Sequence, residues 1–314
     1  MSTQISRQPV LVGVDGSAAS EAAVRYAAAE ADRTGRCLRL VHVTPLYTPP
    51  ALPMFAVSQV ELDALGRKIL MDAARQARGL LAAERVSTSL LVGDRVGCLV
   101  AAATEASLVV LGSDKRGFVD RLVTGSTVAG VAARSTRPVV AVPSTWSSDR
   151  LRGVVTVGIR RPDRCADLLR VALDIASARG AKLLAVHAWE LQGGYDDLIV
   201  GRIGQEPFCA EAEHLIERTL AEVRPDYPAT EVEVRVEHGQ AARVLQLASD
   251  ESDLLLLERR PHAFPLGHLG ATGRAVLHHG WCAVEVLPPA SDPWWSPELV
   301  LESAGVFHPE EERS

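Results

Sequence analysis

The chain says the same thing twice, at a period that only a duplicated domain can have. Gly13 in "VLVGVDGS" returns as Gly158 in "VVTVGIRR", His42 in "LRLVHVTP" as His187 in "LLAVHAWE", and Pro143 in "PVVAVP" as Pro288 in "AVEVLP", each pair 145 positions apart. Gly93 and Gly239, inside two further matching stretches, are 146 apart. Solenoid units recur every ~20–50 residues, so this spacing marks a repeated domain instead. The 314 residues therefore hold two domains, each long enough to bury its own core. The expected boundaries are 1–145 and 150–290, with a short linker over Ser144–Leu151 and a final segment 291–314.

Several classes of protein are excluded at once. No uncharged apolar run approaches the roughly 18–20 residues needed to span a bilayer, so no membrane partner is expected. The start, "MSTQISRQPV", has no apolar signal core, which makes the cytoplasm the expected location. Cys37, Cys98, Cys165, Cys209 and Cys282 are scattered with no C-x-x-C pair, as structural thiols of a reducing compartment would be. Of the net charge of −6, the last segment contributes −5, from Asp292, Glu298, Glu302, Glu310, Glu311 and Glu312 against Arg313. The paired domains are thus almost neutral and lack the basic face of a nucleic-acid binder. The acidic segment also carries Trp294 and Trp295, which suit either docking on their own domain or a motif for a protein partner.

Each half alternates short β-branched runs with alanine- and leucine-rich amphipathic stretches, a β-α-β-α pattern that predicts a parallel sheet. In the first half, strands are predicted near 9–14, 38–43, 87–92, 107–112 and 138–142, and helices at 18–34, about 58–83, 95–105 and 126–134. "VLVGV", "LVHV", "LVVL" and "PVVAV" are continuously apolar, as strands covered on both faces must be. Ser17 is placed to cap the first helix and Gly35 to end it. Right-handed crossovers then give two tandem doubly wound α/β domains, each a five-stranded parallel sheet of order 3-2-1-4-5.

In such sheets ligands bind beyond the carboxyl ends of the strands. Two loops of the first half are dressed for that place. The first strand ends in Val14-Asp15-Gly16-Ser17, a carboxylate just ahead of a helix amino terminus. The fourth ends in Gly112-Ser113-Asp114-Lys115-Arg116-Gly117, and a further helix opens at Gly125-Ser126-Thr127. Glycines let backbone N–H groups approach a phosphate, and a helix amino terminus adds unpaired donors and the positive end of its dipole. No G-x-x-x-x-G-K-[ST] is present, so this is a phosphate cradle without a P-loop.

At these residues the chain resembles the universal stress protein family in its tandem form. The resemblance covers both repeats and leaves out only the segment after residue 290. The family's ATP-binding frame, G-x2-G-x9-G-[ST], reads here Gly112-x2-Lys115-x9-Gly125-Ser126, with lysine in place of the middle glycine. The resemblance implies a bound ATP or related adenine nucleotide. In it Asp15 takes the ribose hydroxyls, the Val43 backbone reads adenine, Gly112 lies against the ribose, and Gly125, Ser126 and Thr127 hold phosphates. Lys115, beside Arg116 and Gly117, either obstructs the phosphates or pairs with them as a point charge. The family also implies association through the last strand of each copy, as an intramolecular pair and in homodimers.

The second half has lost the pattern. Asp15 aligns with Arg160, Gly16 with Arg161, Ser17 with Pro162, Gly112 with Glu258 and Lys115 with Pro261. A glutamate where ribose and phosphates would lie is repulsive, so this half is expected to be structural or regulatory. His42 and His187, in apolar strands, read as satisfied core residues, and His278-His279 lies late in the last helix with no acidic or cysteine ligand at metal spacing. With no general base, Walker-type lysine or magnesium-binding acidic pair apparent, any turnover is expected to be slow. The chain is thus expected to be a nucleotide-binding stress-response module. The alternative is a nucleotide-free interaction protein in which both sites have decayed.

Overall fold

The computed structural model describes residues 8–46, 58–113, 127–191, 195–260 and 269–289. The chain divides into two compact units at Arg150 and Leu151. In the first unit the described elements are β1 (Val10–Gly13), α1 (Ala18–Arg33), β2 (Leu38–Thr44), α2 (Gln59–Arg78), β3 (Val86–Val92), α3 (Arg95–Ala103), β4 (Leu108–Ser113), α4 (Thr127–Arg134) and β5 (Val139–Pro143). The strands stand in the order β3-β2-β1-β4-β5 and every pair is parallel, with Val10 opposite both Leu38 and Leu108. Leu11, Leu38, Leu40, Val109, Val110 and Val140 are fully buried, because helices cover the sheet on both sides. α1 packs against α2, and α3 against α4, the arrangement that right-handed crossovers from a reversed strand order impose.

Ser17 caps α1, its hydroxyl accepting from the Ser20 N–H at 3.1 Å. The second helix ends at Arg78, short of the predicted residue 83. The Gly79 N–H closes back on the Gln76 carbonyl, and Leu81 then turns inward, 6% exposed, so the apolar pattern continues without the helix. At the unit's far end Trp146, in the predicted linker, packs edge-on against Tyr26 of α1 with ring centroids 5.2 Å apart.

The second unit repeats this plan with β6 (Val154–Ile159), α5 (Ala166–Arg179), β7 (Lys182–Trp189), α6 (Asp196–Ile203), α7 (Glu206–Val223), β8 (Val232–His238), α8 (Ala241–Asp250), β9 (Leu254–Glu258), α9 (Ala271–His279) and β10 (Ala283–Leu287). Its strands run β8-β7-β6-β9-β10, again all parallel. The Asp253 carboxylate accepts the backbone N–H groups of Arg152, Gly153 and Val154 at 2.6, 2.6 and 3.1 Å, which fixes the entry into β6. α6 is a short helix the sequence reading did not place. Among the described residues no helix is long and apolar enough to cross a membrane.

Candidate functional site

The carboxyl end of β1 is built as a tight turn. Gly16 has φ +80°, which a side chain would strain, and this lets the Ser17 N–H reach back to Asp15 Oδ1 at 3.0 Å. The Asp15 N–H in turn donates to Ser20 Oγ at 3.2 Å. The turn is held from the sheet side by His42, whose Nδ1 lies 2.6 Å from the Val14 carbonyl. Since a carbonyl only accepts, that nitrogen carries the proton. His187 makes the same bond to Ile159 at 2.8 Å, so both histidines are satisfied structural groups that anchor the end of the first strand. Asp15 itself is exposed at the crest.

Gly112, on β4, explains the closeness of that crest. A Cβ there would meet the backbone of α1, 2.4 Å from Ala19 C, 2.6 Å from Ala19 O and 2.7 Å from Ser20 N. Only glycine lets the first turn of α1 lie directly on β4. The resemblance implies a ribose contact at Gly112; the contact visible in the structure is this helix–strand approach. Asp15, Val43, Gly112 and Thr127 line one cleft, of about 90 Å3, together with Ser20, His42, Arg95, Leu99 and Val128. That is below the several hundred Å3 of a site for a drug-sized ligand. The described residues form its floor and walls. Thr127, the first described residue of α4, and Val128 line the cleft, so the first turn of that helix stands beside it. Lys115, Arg116, Gly117, Gly125 and Ser126 lie outside the described residues.

The second unit shows what the missing residues change. The residue aligned with Gly16 is Arg161, whose φ is −127°, and the tight turn does not form. A 3-10 turn, Pro162–Arg164, stands where α1 has its first turn, and α5 begins only at Ala166, three positions later than the repeat predicts. Its cap position, Cys165, makes no side-chain capping bond. The helix has withdrawn from β9, where Glu258 replaces Gly112 and would otherwise meet helix backbone. Arg161 instead pairs with Asp163 at 2.6 Å. Gly158 survives because it, like Gly13, faces a leucine: a Cβ would lie 2.8 Å from Leu257 Cδ2, and 2.5 Å from Leu111 Cδ2 in the first copy. The repeated Gly13 and Gly158 thus serve packing inside each unit, whereas Gly16 and Gly112 shape the crest of the first unit alone.

Arg95, Leu99, Ser20 and Val128 escaped the sequence reading. The signal was there for Arg95: it follows the repeated Gly93, yet its partner in the second copy is Ala241. Among the described residues no group of three or more His, Cys, Asp or Glu is placed to hold a metal ion.

The comparisons agree with the geometry. The model of the universal stress protein family matches residues 6–143 and again 152–288. The chain belongs to the universal stress protein family. The universal stress protein Rv2005c of Mycobacterium tuberculosis is 32% identical over 289 residues, covering 88% of this chain and 96% of the relative. Rv1996 of the same organism is 30% identical over 313 residues, covering 93% and 99%. Among solved structures, a universal stress protein from Archaeoglobus fulgidus matches with a TM-score of 0.62 at 18% identity, covering 90% of this chain and 98% of that one, which is a likeness of fold. The tandem form is therefore shared along nearly the whole length of these relatives.

Proposed function

We propose that the first unit of this tandem universal stress protein binds ATP or another adenine nucleotide, and that the second unit has become its structural or regulatory companion. The observation that supports this most is the contrast between the copies at the crest. In the first, Gly16, Ser17 and Gly112 let an exposed carboxylate, Asp15, and a capped helix amino terminus converge on one cleft. In the second, every one of those residues is replaced and the helix starts three residues late.

The chemistry follows from the groups present. Asp15 accepts hydrogen bonds from a vicinal pair of hydroxyls, as a ribose offers, and a carboxylate makes those bonds stronger than a neutral acceptor would. The amino terminus of α4, preceded in sequence by Gly125 and Ser126, offers N–H donors and the positive end of a dipole to phosphates. Lys115 and Arg116 supply cations in the same sequence segment. Occupancy would be passed on by binding, to a protein partner or a second copy. Mass spectrometry of the ligand released from the denatured purified protein tests the reading. An adenine nucleotide at close to one per chain is expected; a purified protein that carries none and takes up none on addition favours the nucleotide-free interaction protein.

A further inference from the structure

The cleft has a cation at one end that neither the motif nor the resemblance assigns. Arg95 is the first residue of α3 and is exposed. Among the described residues no ion pair or hydrogen bond holds its guanidinium. Its position is set with care. Gly93, at φ +144°, donates its N–H to the Thr44 carbonyl at 3.0 Å, so the turn into α3 sits directly beyond the end of β2, beside Val43. The Asp94 carboxylate then caps the helix through the Gly97 N–H at 2.7 Å. Leu99, four residues on and therefore on the same helix face, is 3% exposed and forms the cleft wall next to Gly13. Val128 of α4 also lines the cleft.

The second copy keeps this turn and drops the cation. Gly239 has φ +143° and bonds the Trp189 carbonyl at 2.9 Å, the same geometry at the same place. Yet Gln240 replaces Asp94 and makes no capping bond, and Ala241 replaces Arg95. The fold does not need the arginine; it stands only in the copy that also keeps Asp15 and Gly112.

The Gly93 turn, held on the end of β2, starts Arg95 at the β2 side of the cleft, while the next residue, Val96, packs on Gly130 of α4. Along the crest the sequence of groups is Arg95 beyond β2 and β3, Asp15 beyond β1, Gly112 on β4, and Thr127 at the start of α4. A nucleotide with its hydroxyls on Asp15 and its phosphates toward α4 has its base at the other end. We propose that Arg95 recognises the base, laying its planar guanidinium on the purine ring over the apolar floor of Val43 and Leu99, and is not a phosphate ligand. The inference rests on the nucleotide reading above. The physics is that of a cation over a π-face, to which a planar guanidinium is better suited than an ammonium.

The test is calorimetric titration of wild type, Arg95→Ala and Arg95→Lys with adenosine, ATP and inorganic tripolyphosphate, with thermal melts to show that all three proteins are folded. Arg95→Ala should weaken adenosine and ATP by the same factor, about two- to five-fold for an exposed cation–π contact. It should leave tripolyphosphate unchanged, and Arg95→Lys should recover little of the loss. Weakening of ATP with adenosine unaffected, rescued by lysine, would make Arg95 a phosphate ligand and overturn the inference, as would no change with either ligand. A wild type that binds neither adenosine nor ATP overturns the nucleotide reading itself, and this inference with it.

Discussion

Replacing Gly112 by alanine should damage the first unit far more than the loss of one hydrogen atom suggests. The new Cβ would lie 2.4 Å from the carbonyl carbon of Ala19 and 2.6 Å from its oxygen. Carbon atoms pack best at ~3.5–4 Å, so the first turn of α1 must retreat by about 1 Å or more. The obstacle is helix backbone, which cannot swing aside as the leucine ends facing Gly13 and Gly158 can. Overpacking of this kind costs about 1–3 kcal/mol, and loosening the Ser17 cap adds about 1 kcal/mol. A loss of roughly 2–4 kcal/mol lowers a melting midpoint by on the order of 5–15 °C for a domain of this size. Asp15, hydrogen-bonded to Ser17 and Ser20 of the same turn, would move with it, so nucleotide affinity should fall as well. Calorimetric melting of Gly112→Ala beside Glu258→Gly checks both sides of the comparison, the second variant being expected within about 1 kcal/mol of wild type because α5 has already withdrawn. If Gly112→Ala melts within a degree or two of wild type, α1 does not lie on β4 as closely as a 2.4 Å approach requires.

The lysine in the glycine frame can be judged by restoring glycine. Should Lys115→Gly tighten ATP and leave adenosine alone, the lysine obstructs; should it weaken ATP and flatten the salt dependence, the lysine pairs with phosphate; no change at all counts against a phosphate site in that segment. In the second unit, burial and the 2.6 Å hydrogen bond to Asp174 both raise the ionisation of the Tyr227 hydroxyl well above its usual range. A group whose folded pKa lies above its unfolded value of ~10 supports the fold below that pH and withdraws its support as pH rises past it. Thermal melts between pH 8 and 11 should therefore show the wild type losing stability on the alkaline side. Tyr227→Phe should start lower, by about 1–3 kcal/mol, and fall less steeply; parallel curves for the two proteins would refute this role.

Much of the fold can be read from the residues because parallel strands need both faces buried, and "LVVL" and "PVVAV" are apolar along their whole length. The caps at Ser17 and Asp94 are likewise local, since side chain and target lie three residues apart. What escaped reading depends on distance across elements. Gly112 stands in a nucleotide frame, so spacing alone points to a ligand, while its contact with Ala19 depends on how near α1 lies to β4. The delayed start of α5 also involves residues far apart in sequence, Pro162 at its head and Glu258 on β9, so no local motif announces it. Arg95 was hidden because no motif includes it, although comparison with Ala241 marks it as belonging to one copy alone.

The central claim is one live nucleotide site, in the first copy and organised by Asp15. Titration of ATP into the wild type, Asp15→Ala and Arg160→Ala tests it directly. One site per chain is predicted for the wild type, weakened by about 1.5–3 kcal/mol in Asp15→Ala, the worth of hydrogen bonds to a charged acceptor, and unchanged in Arg160→Ala. Two sites per chain, or equal losses in the two variants, would contradict it.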